Sequence, residues 1–326
     1  MKFSRLLAVL ALAAGLSGTG ASGAGAAERV RVGILKFGTV AWEMDVVRAN
    51  KLDAANGVAV ETVDLASPDA ARIAFQAGEV DTIVSDVLWA ARLRAEGKPV
   101  VYVPFSAAEG SVMVASGAPI RSVGDLKAKK IGVAGGPLDK GWLLLQAYAK
   151  KTAGLDLARE AEPVYGAPPL LQQKLESGEL DAALIYWNFA ARLEAKGFRE
   201  LVSVEGAARG LGAEGQVALI GYVFRQDFAD AHPDLVKGFV AASRAAKALL
   251  AGQDAEWTRI RPIMRADDDA TFAALKRRFV EGVPSRPIAE EARDAAGLYA
   301  QIAAIGGERL VGPAKTLPDG TYWQGK

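Results

Sequence analysis

Hydrophobic and polar positions change along the chain in a pattern that predicts strands followed by helices. Val30 to Leu35 is a short apolar run rich in β-branched residues, and an amphipathic stretch from Val40 to about Asn50 follows a polar turn. Ser67-Pro68 predicts the start of another helix, because an N-cap residue stands before a proline. The strand Val80 to Val84 comes next. Strand, turn and helix in this order open an α/β unit.

The same order of elements recurs 100 positions later. Ile131 to Ala134 predicts a strand, Lys140 to Lys151 and Leu170 to Ser177 predict helices, and Ala182 to Tyr186 predicts another strand. Single positions match as well: Thr39 with Asp139, Trp42 with Trp142, and Gly78-Glu79-Val80-Asp81 with Gly178-Glu179-Leu180-Asp181. This internal repeat predicts two similar α/β lobes.

The chain after the repeat predicts a return to the first lobe. A Gly-rich stretch over 206–215 precedes a strand-like run from Gln216 to Phe224, and the remainder is mostly helical. We therefore expect a discontinuous lobe I, made of residues 28–114 and 214–326, and a lobe II made of residues 115–213.

The first 27 residues predict an export signal. Lys2 and Arg5 precede the apolar run Leu6 to Leu16, and small residues follow as far as Ala27. The apolar run is shorter than the ~20 residues that a membrane-spanning helix needs. We expect cleavage near Ala27 and a mature chain secreted into the periplasm, whose length of about 300 residues suits two lobes.

Composition excludes several function classes. The 39 basic and 38 acidic residues leave no electrostatic footprint for nucleic acid. Without any Cys the chain has no disulfide, no thiolate metal site and no lipidated N-terminal Cys.

Catalytic and metal-binding patterns are also weak. The single His, His232, stands where a helix begins, which favours a surface or capping role. The GxGxxG match at 210–215 is followed by a strand-like run, although a phosphate-binding loop needs a helix there. Asp267-Asp268-Asp269 fits a helix cap better than a cation site. We expect no catalytic residue, no metal and no cofactor.

Aromatic residues mark the expected ligand site. In open α/β sheets, ligands bind beyond the carboxyl ends of the strands, where helix N-termini present unpaired N–H groups. Six aromatic residues fall at such strand ends or in the first turns that follow: Phe37, Trp42, Trp89, Trp142, Tyr186 and Trp187. Any one of them could be core packing, but as a set they predict a ligand wall.

Three motifs resemble those of a known family. They are the run Ser122 to Val133, similar to S-x-x-D-L-K-G-K-x-x-x-V; the run Gly178 to Ala182 followed by Trp187; and Asp227-Phe228 with His232-Pro233. The chain thereby resembles the periplasmic solute-binding proteins of the nitrate, sulfonate and taurine uptake group, which are related in fold to thiamine-precursor binders. The resemblance spans nearly the whole mature chain.

The resemblance implies a type II periplasmic-binding-protein fold, in which two α/β lobes are joined by two crossover strands and close over a ligand. The family's ligand loops correspond to 36–39, 85–89, 137–142 and 186–188. Together with the aromatic wall, they predict these ligand-binding residues: Phe37, Gly38, Thr39, Asp86, Trp89, Asp139, Trp142, Tyr186, Trp187 and Asn188.

The loop before the second-lobe helix departs from the family pattern. Sulfonate binders carry small hydroxyl residues there, whereas this chain has Leu138, Asp139, Lys140 and Trp142. Asp86 and Asp139 add negative charge, which suits a zwitterion or a neutral N-heteroaromatic better than a simple sulfonate or nitrate.

The predicted function is the substrate-binding protein of an ABC importer. It would be a monomer that captures a small polar organic solute, such as a sulfonate or taurine-like compound, a zwitterion or an N-heteroaromatic, and delivers it to an ABC permease in the inner membrane. One alternative is an envelope protein that presents its ligand to a sensor. The other is an enzyme similar to the yeast thiamine-pyrimidine synthases; that family depends on a catalytic His and a Cys-rich motif, which a chain without Cys does not match.

Overall fold

The structure is a computed structural model that describes residues 28–36 and 38–325. The predicted signal peptide, residues 1–27, and the predicted ligand-binding residue Phe37 lie outside the described residues. Across the described part of the chain, no helix has both the length and the apolar character that crossing a membrane requires.

Strands and helices alternate through most of the described chain. The strands are β1 (Arg29–Leu35), β2 (Ala59–Leu65), β3 (Thr82–Asp86), β4 (Val100–Ser106), β5 (Gly110–Val114), β6 (Lys130–Ala134), β7 (Glu162–Gly166), β8 (Ala182–Tyr186), β9 (Arg199–Ser203) and β10 (Ile220–Arg225). The helices are α1 (Val40–Ala49), α2 (Leu52–Ala55), α3 (Pro68–Gln76), α4 (Val87–Ala95), α5 (Lys140–Ala153), α6 (Leu157–Glu160), α7 (Pro168–Glu176), α8 (Trp187–Ala195), α9 (Val204–Leu211), α10 (Gln226–Ala231), α11 (Pro233–Gly252), α12 (Asp254–Met264), α13 (Asp269–Glu281), α14 (Ile288–Gly306) and α15 (Glu308–Val311).

The strands form two five-stranded sheets with the same plan. The first sheet has the order β2-β1-β3-β10-β4 and the second has the order β7-β6-β8-β5-β9. In each sheet four strands run in the same direction, and the fourth strand in the order is antiparallel to both of its neighbours. The repeat seen in the sequence is therefore a repeat of topology, and the predicted α/β fold with two lobes is confirmed.

Each antiparallel strand comes from the chain that has just left the other sheet. β5 follows β4 of the first sheet but pairs with β8 and β9. β10 follows β9 of the second sheet but pairs with β3 and β4. The two connections, residues 107–109 and 212–219, therefore join the lobes.

This pairing corrects one expected boundary. Residues 110–114 were expected in lobe I, but β5 lies inside the second sheet. All five residues of β5 are buried, because helices cover both faces of that sheet. The other expected boundary, at Glu214, falls in the segment between α9 and β10.

The Gly-Glu-x-Asp motif has the same structural role in both lobes. Gly78 and Gly178 follow a helix with φ values of 76° and 78°, a left-handed conformation that glycine adopts without strain. Asp81 then accepts a hydrogen bond from the N–H of Arg31 at 2.8 Å, and Asp181 accepts one from the N–H of Lys130 at 2.8 Å. The motif thus ties the third parallel strand of each sheet to the start of the first.

The two lobes contact each other through helices as well as through the connections. α13, from the C-terminal part of lobe I, packs on α8 of lobe II, and α14 packs on α5. Trp42 of α1 and Trp187 of α8 meet edge to face with ring centroids 5.9 Å apart, and Phe279 of α13 lies 6.2 Å from Trp187. The lobes are therefore in close contact in this structure.

Candidate ligand-binding site

One aspartate in each lobe stands at a strand end and caps the next helix. Asp86 ends β3, and its carboxylate accepts the N–H of Trp89 in the first turn of α4 at 2.8 Å. Asp139 precedes α5 and accepts the N–H of Trp142 at 3.1 Å. In each lobe a capped helix N-terminus therefore lies just after the carboxyl end of a parallel strand, where ligands bind in open α/β sheets.

Glu109 and Lys140 form a buried ion pair between these two caps. Glu109 lies in the connection between β4 and β5, and its Oε2 is 2.9 Å from the Nζ of Lys140, the first residue of α5. Only 5% of the Glu109 side chain and 15% of the Lys140 side chain are exposed. The backbone carbonyl of Glu109 also accepts the N–H of Trp187 at 3.3 Å, which holds the connection against the start of α8.

Burial and neighbouring negative charges raise the pKa values of Glu109 and Asp139. Burial raises the pKa of Glu109 to about 7; the charge of Lys140 opposes this shift, whereas the charges of Asp139 and Asp86 add to it. Burial also raises the pKa of Asp139, and Asp86 contributes in the same direction. The carboxylates of the two lobes thus act on each other across the interface.

Lys140 and Tyr186 respond to the same carboxylates. Burial alone would lower the pKa of Lys140, but the charges of Glu109, Asp139 and Asp86 outweigh burial and raise it. Burial raises the pKa of the Tyr186 hydroxyl, and Asp139 adds to the shift. At neutral pH the site therefore holds a charged lysine, a neutral phenol and an excess of carboxyl groups.

Arg72 belongs to the same cluster, although sequence reasoning missed it. Its Nη2 donates to the Oδ2 of Asp86 at 2.9 Å, and its guanidinium carbon lies 5.3 Å from the ring centroid of Trp89. The start of α3 at Ser67-Pro68 was predicted, and Arg72 lies in the second turn of that helix. The available sequence signal was therefore a basic residue near the start of a helix that follows a strand. The sequence offered no reason to choose it over other arginines.

Two cavities adjoin the connection that carries Glu109. The first, of about 10 Å³, is lined by Glu109, Asp139, Lys140 and Tyr186 among others, and has room for about one water molecule. The second, of about 570 Å³, lies between the connection, α8, β9 and α13, and is within the size range of small-molecule sites. Glu109 borders both cavities.

The predicted aromatic wall is only partly at the interface. Trp142 is 1% exposed and belongs to the hydrophobic core, so this structure does not place it in the ligand wall. Trp187 is 7% exposed; it contacts Trp42 and Phe279 and lines the larger cavity. Trp89 is half-buried against Arg72. Tyr186 lines the small cavity with 38% of its surface exposed, while its hydroxyl is shielded from water.

The other predicted ligand-binding residues, Gly38, Thr39 and Asn188, make no contact within the described chain that marks them as part of a ligand site. Gly38 donates its N–H to the carbonyl of Leu35 at 2.9 Å, and Thr39 precedes α1 without a side-chain hydrogen bond to the helix. Asn188 is the second residue of α8 and is half-buried. Their proposed contact with a ligand stays a prediction.

The geometry defines a class of protein: two α/β lobes of the periplasmic-binding-protein type, with capped helix N-termini and a buried charge cluster where the lobes meet. The chain belongs to the NMT1/THI5-like family, whose model matches residues 54–256. Comparison with curated proteins returns no match.

Solved structures share the fold at low sequence identity. The periplasmic aliphatic sulphonate binding protein SsuA from Escherichia coli is 21% identical over 91% of this chain and 92% of its own, with a TM-score of 0.72. The alkanesulfonate-binding protein SsuA from Xanthomonas axonopodis pv. citri, bound to MOPS, is 21% identical over 91% and 99%, with a TM-score of 0.67. The desulfurization enzyme DSZB is 16% identical over 84% and 92%, with a TM-score of 0.53.

Proposed function

We propose that the protein is the substrate-binding component of an ABC importer and captures a small polar organic solute between its two lobes. The observation that carries this proposal is the partly buried cluster of Asp86, Glu109, Asp139 and Lys140, to which both lobes and their connection contribute. A ligand placed there touches both lobes at once, so it stabilises the closed arrangement relative to an open one.

The residues proposed to contact the ligand follow from this arrangement. They combine sequence predictions with the cluster that the structure brings together: Phe37, Gly38, Thr39, Arg72, Asp86, Trp89, Glu109, Asp139, Lys140, Tyr186, Trp187 and Asn188. The fold match to sulphonate-binding proteins supports a small organic solute. Sulfonates, taurine-like zwitterions and N-heteroaromatics are the classes to test.

A thermal-shift panel tests the proposed function. The mature protein would be heated with sulfonates, carboxylates, zwitterions and pyrimidines, since a ligand that binds only the folded state stabilises it by RT ln(1 + [L]/Kd). A compound at a hundredfold excess over its Kd adds about 2.7 kcal/mol to the free energy of unfolding. A response to metal ions alone would contradict the proposal.

We propose that the protein binds its solute without converting it. The described residues near the cluster include no hydroxyl or imidazole paired as nucleophile and base, and binding followed by closure requires neither. Because an enzyme shares the fold, this proposal needs a test. Native mass spectrometry of the purified protein should show that a bound solute is released chemically unchanged. Conversion of the solute by the pure protein would overturn this proposal.

The proposed partner is an ABC permease in the inner membrane, and the proposed location is the periplasm. The predicted signal peptide and the fold match to periplasmic proteins support both. Genes for a permease and an ATPase beside this gene would favour uptake, whereas a neighbouring receptor gene would favour the sensor alternative. Light scattering of the purified protein should give the mass of a monomer.

A further inference from the structure

One oxygen of the Glu109 carboxylate has no partner. Its Oε2 binds Lys140, but its Oε1 is buried and accepts no hydrogen bond from any described residue. The side chain is 95% buried, since only 5% of it is exposed. A buried carboxylate oxygen without a donor is costly, so this oxygen points to a donor that none of the described residues supplies.

The charges around Glu109 show what kind of donor would suit the site. Three carboxylates, those of Asp86, Glu109 and Asp139, share the cluster with two cations, Arg72 and Lys140. Asp86 already binds Arg72 and the N–H of Trp89, and Asp139 binds the N–H of Trp142. With every group ionised the cluster carries one excess negative charge, and Glu109 has the open oxygen.

We propose that Glu109 is the specificity-determining residue of the site and that the ligand carries a positively charged nitrogen that binds its Oε1. The inference rests on the proposed function. A protonated amine would donate the missing hydrogen bond and balance the excess carboxylate. Simple anions without a nitrogen would bring further negative charge to the cluster, whose excess carboxylate already repels negative charge.

The same contact would link ligand recognition to lobe closure. Asp86 belongs to lobe I, Asp139 to lobe II and Glu109 to the connection between them, and closing the lobes brings these like charges together. A cation bound among them converts this repulsion into attraction. The raised pKa of Glu109, about 7, agrees with a carboxyl group that lacks such a cation.

Matched ligand pairs test the proposal on the unaltered mature protein. The first pair is 2-aminoethanesulfonate and 1-propanesulfonate, and the second is 4-aminobutanoate and pentanoate; in each pair a methyl group replaces the ammonium group. Calorimetry should show the amine member binding about 10- to 100-fold more tightly, the effect expected of one hydrogen bond to a charged group. At pH 6 its binding should release protons, because the cation lowers the pKa of Glu109, whereas the methyl member should release none.

Two variants assign the effect to Glu109. Glu109→Gln should abolish the preference for the amine members and their proton release. Glu176→Gln, which breaks a Glu–Lys pair with Lys196 elsewhere in lobe II, should leave both unchanged. Should Glu109→Gln fold poorly because Lys140 loses its partner, the double variant Glu109→Gln/Lys140→Met removes both charges and keeps the test open.

The outcomes separate this inference from the proposed function. Equal affinities within each pair, or an amine preference that survives in Glu109→Gln, overturn the inference and leave solute binding intact. If no panel compound binds, the solute recovered by native mass spectrometry decides: a charged nitrogen in it supports the inference, and its absence overturns it. A protein that neither carries a solute nor binds any compound refutes the proposed function and the inference with it.

Discussion

At the scale of single residues, two buried glutamates have pKa values that folding raises to near neutral pH. Burial raises the pKa of Glu109 and the pKa of Glu291 to about 7, from an ordinary 4.5. Glu291 accepts the N–H of Ala218 at 3.2 Å, so it holds the segment before β10 against α14. Glu109 therefore lies in one connection between the lobes, and Glu291 holds the other connection from α14.

These pKa values predict how stability depends on pH. Between about pH 4.5 and pH 7 the folded protein binds more protons than the unfolded chain, so the free energy of unfolding should fall as pH rises through this window. Carboxyls with lowered pKa values, such as Asp125 and Asp268, are ionised in both states above about pH 5 and do not contribute there. Urea unfolding at pH 5 and pH 7.5 measures the difference.

The matching variants are Glu109→Gln and Glu291→Gln. In the original protein the free energy of unfolding should fall between pH 5 and pH 7.5. Each variant should make this decrease smaller by roughly 1 to 3 kcal/mol, because each removes one titrating group. Glu176→Gln should not change it. A pH dependence that is the same in all four proteins would show that the two glutamates do not titrate in this window.

Asp86 has two separable tasks, capping α4 and pairing with Arg72. Asp86→Ala should lower the free energy of unfolding by about 1 to 2 kcal/mol, since it removes the cap and leaves Arg72 without its partner. Asp86→Asn keeps an acceptor for the N–H of Trp89 and should lose less. Denaturant unfolding of both variants makes the comparison, and equal losses would mean that the cap contributes nothing.

At the scale of elements, the connections between the lobes depend on glycine. Gly110 begins β5 with φ at 155°, and a Cβ added there would lie 2.2 Å from the carbonyl oxygen of Ile185 on β8. Backbone atoms cannot move aside without breaking the pairing of β5 with β8. Only glycine therefore allows the chain to enter the second sheet at this point.

This close approach predicts a large effect of a small change. Gly110→Ala should lower the free energy of unfolding by more than about 3 kcal/mol, or prevent folding, because strain and a steric clash act together. Gly117→Ala is the matched control, since a Cβ there meets nothing within 4 Å. Thermal unfolding of the two variants tests the prediction, and a stable Gly110→Ala protein would contradict it.

Sequence patterns did not predict the edge strands β2, β7 and β9, nor the interior strand β5. β2, β7 and β9 are partly exposed and carry Glu, Asp or Arg, so their hydrophobic alternation is weak. The central strand β3 was predicted two residues early, because Val80 and Asp81 are buried like strand residues although the ladder begins at Thr82. Helix α9 overlaps the Gly-rich stretch over 206–215, where no helix was predicted. It forms because Ser203 caps it and because Ala207, Ala208 and Leu211 bury one face.

At the scale of the whole molecule, the contact between α13 and α8 holds the two lobes together. Arg278 on α13 donates from Nε to Glu194 of α8 at 2.8 Å and from Nη2 to Glu200 of β9 at 2.9 Å. The same guanidinium lies 3.3 Å from the hydroxyl of Ser111 on β5. One side chain of lobe I thus contacts three elements of lobe II.

Arg278→Ala should shift the ligand-free protein towards an open arrangement. Loss of these contacts should reduce the stability of the closed form by about 1 to 2 kcal/mol, which changes the ratio of open to closed molecules roughly tenfold. Small-angle X-ray scattering should then show a larger radius of gyration. Lys276→Ala is the control, since Lys276 pairs with Asp254 inside lobe I; an equal change in both variants would contradict the assignment.

The sequence by itself determined the order of the elements, the repeat and the caps. Ser67 and Asp268 cap helices, and Gly78 and Gly178 follow helices, because such positions depend on residues only three or four places away. Because those local rules recur at an offset of 100, the two-lobed α/β fold followed from the sequence, and the structure confirmed it.

Only the tertiary structure decided which side chains meet between the lobes. Glu109 reaches Lys140 because β5 crosses into the second sheet, and Arg72 reaches Asp86 because α3 packs against β3, which ends at Asp86. Trp142 and Trp187 occupy similar positions at helix starts and both are buried, but they belong to different hydrophobic clusters, and Trp187 contacts Trp42 of the other lobe. Periodicity shows that a residue is buried, but the packing of elements distant in sequence determines what it is buried against.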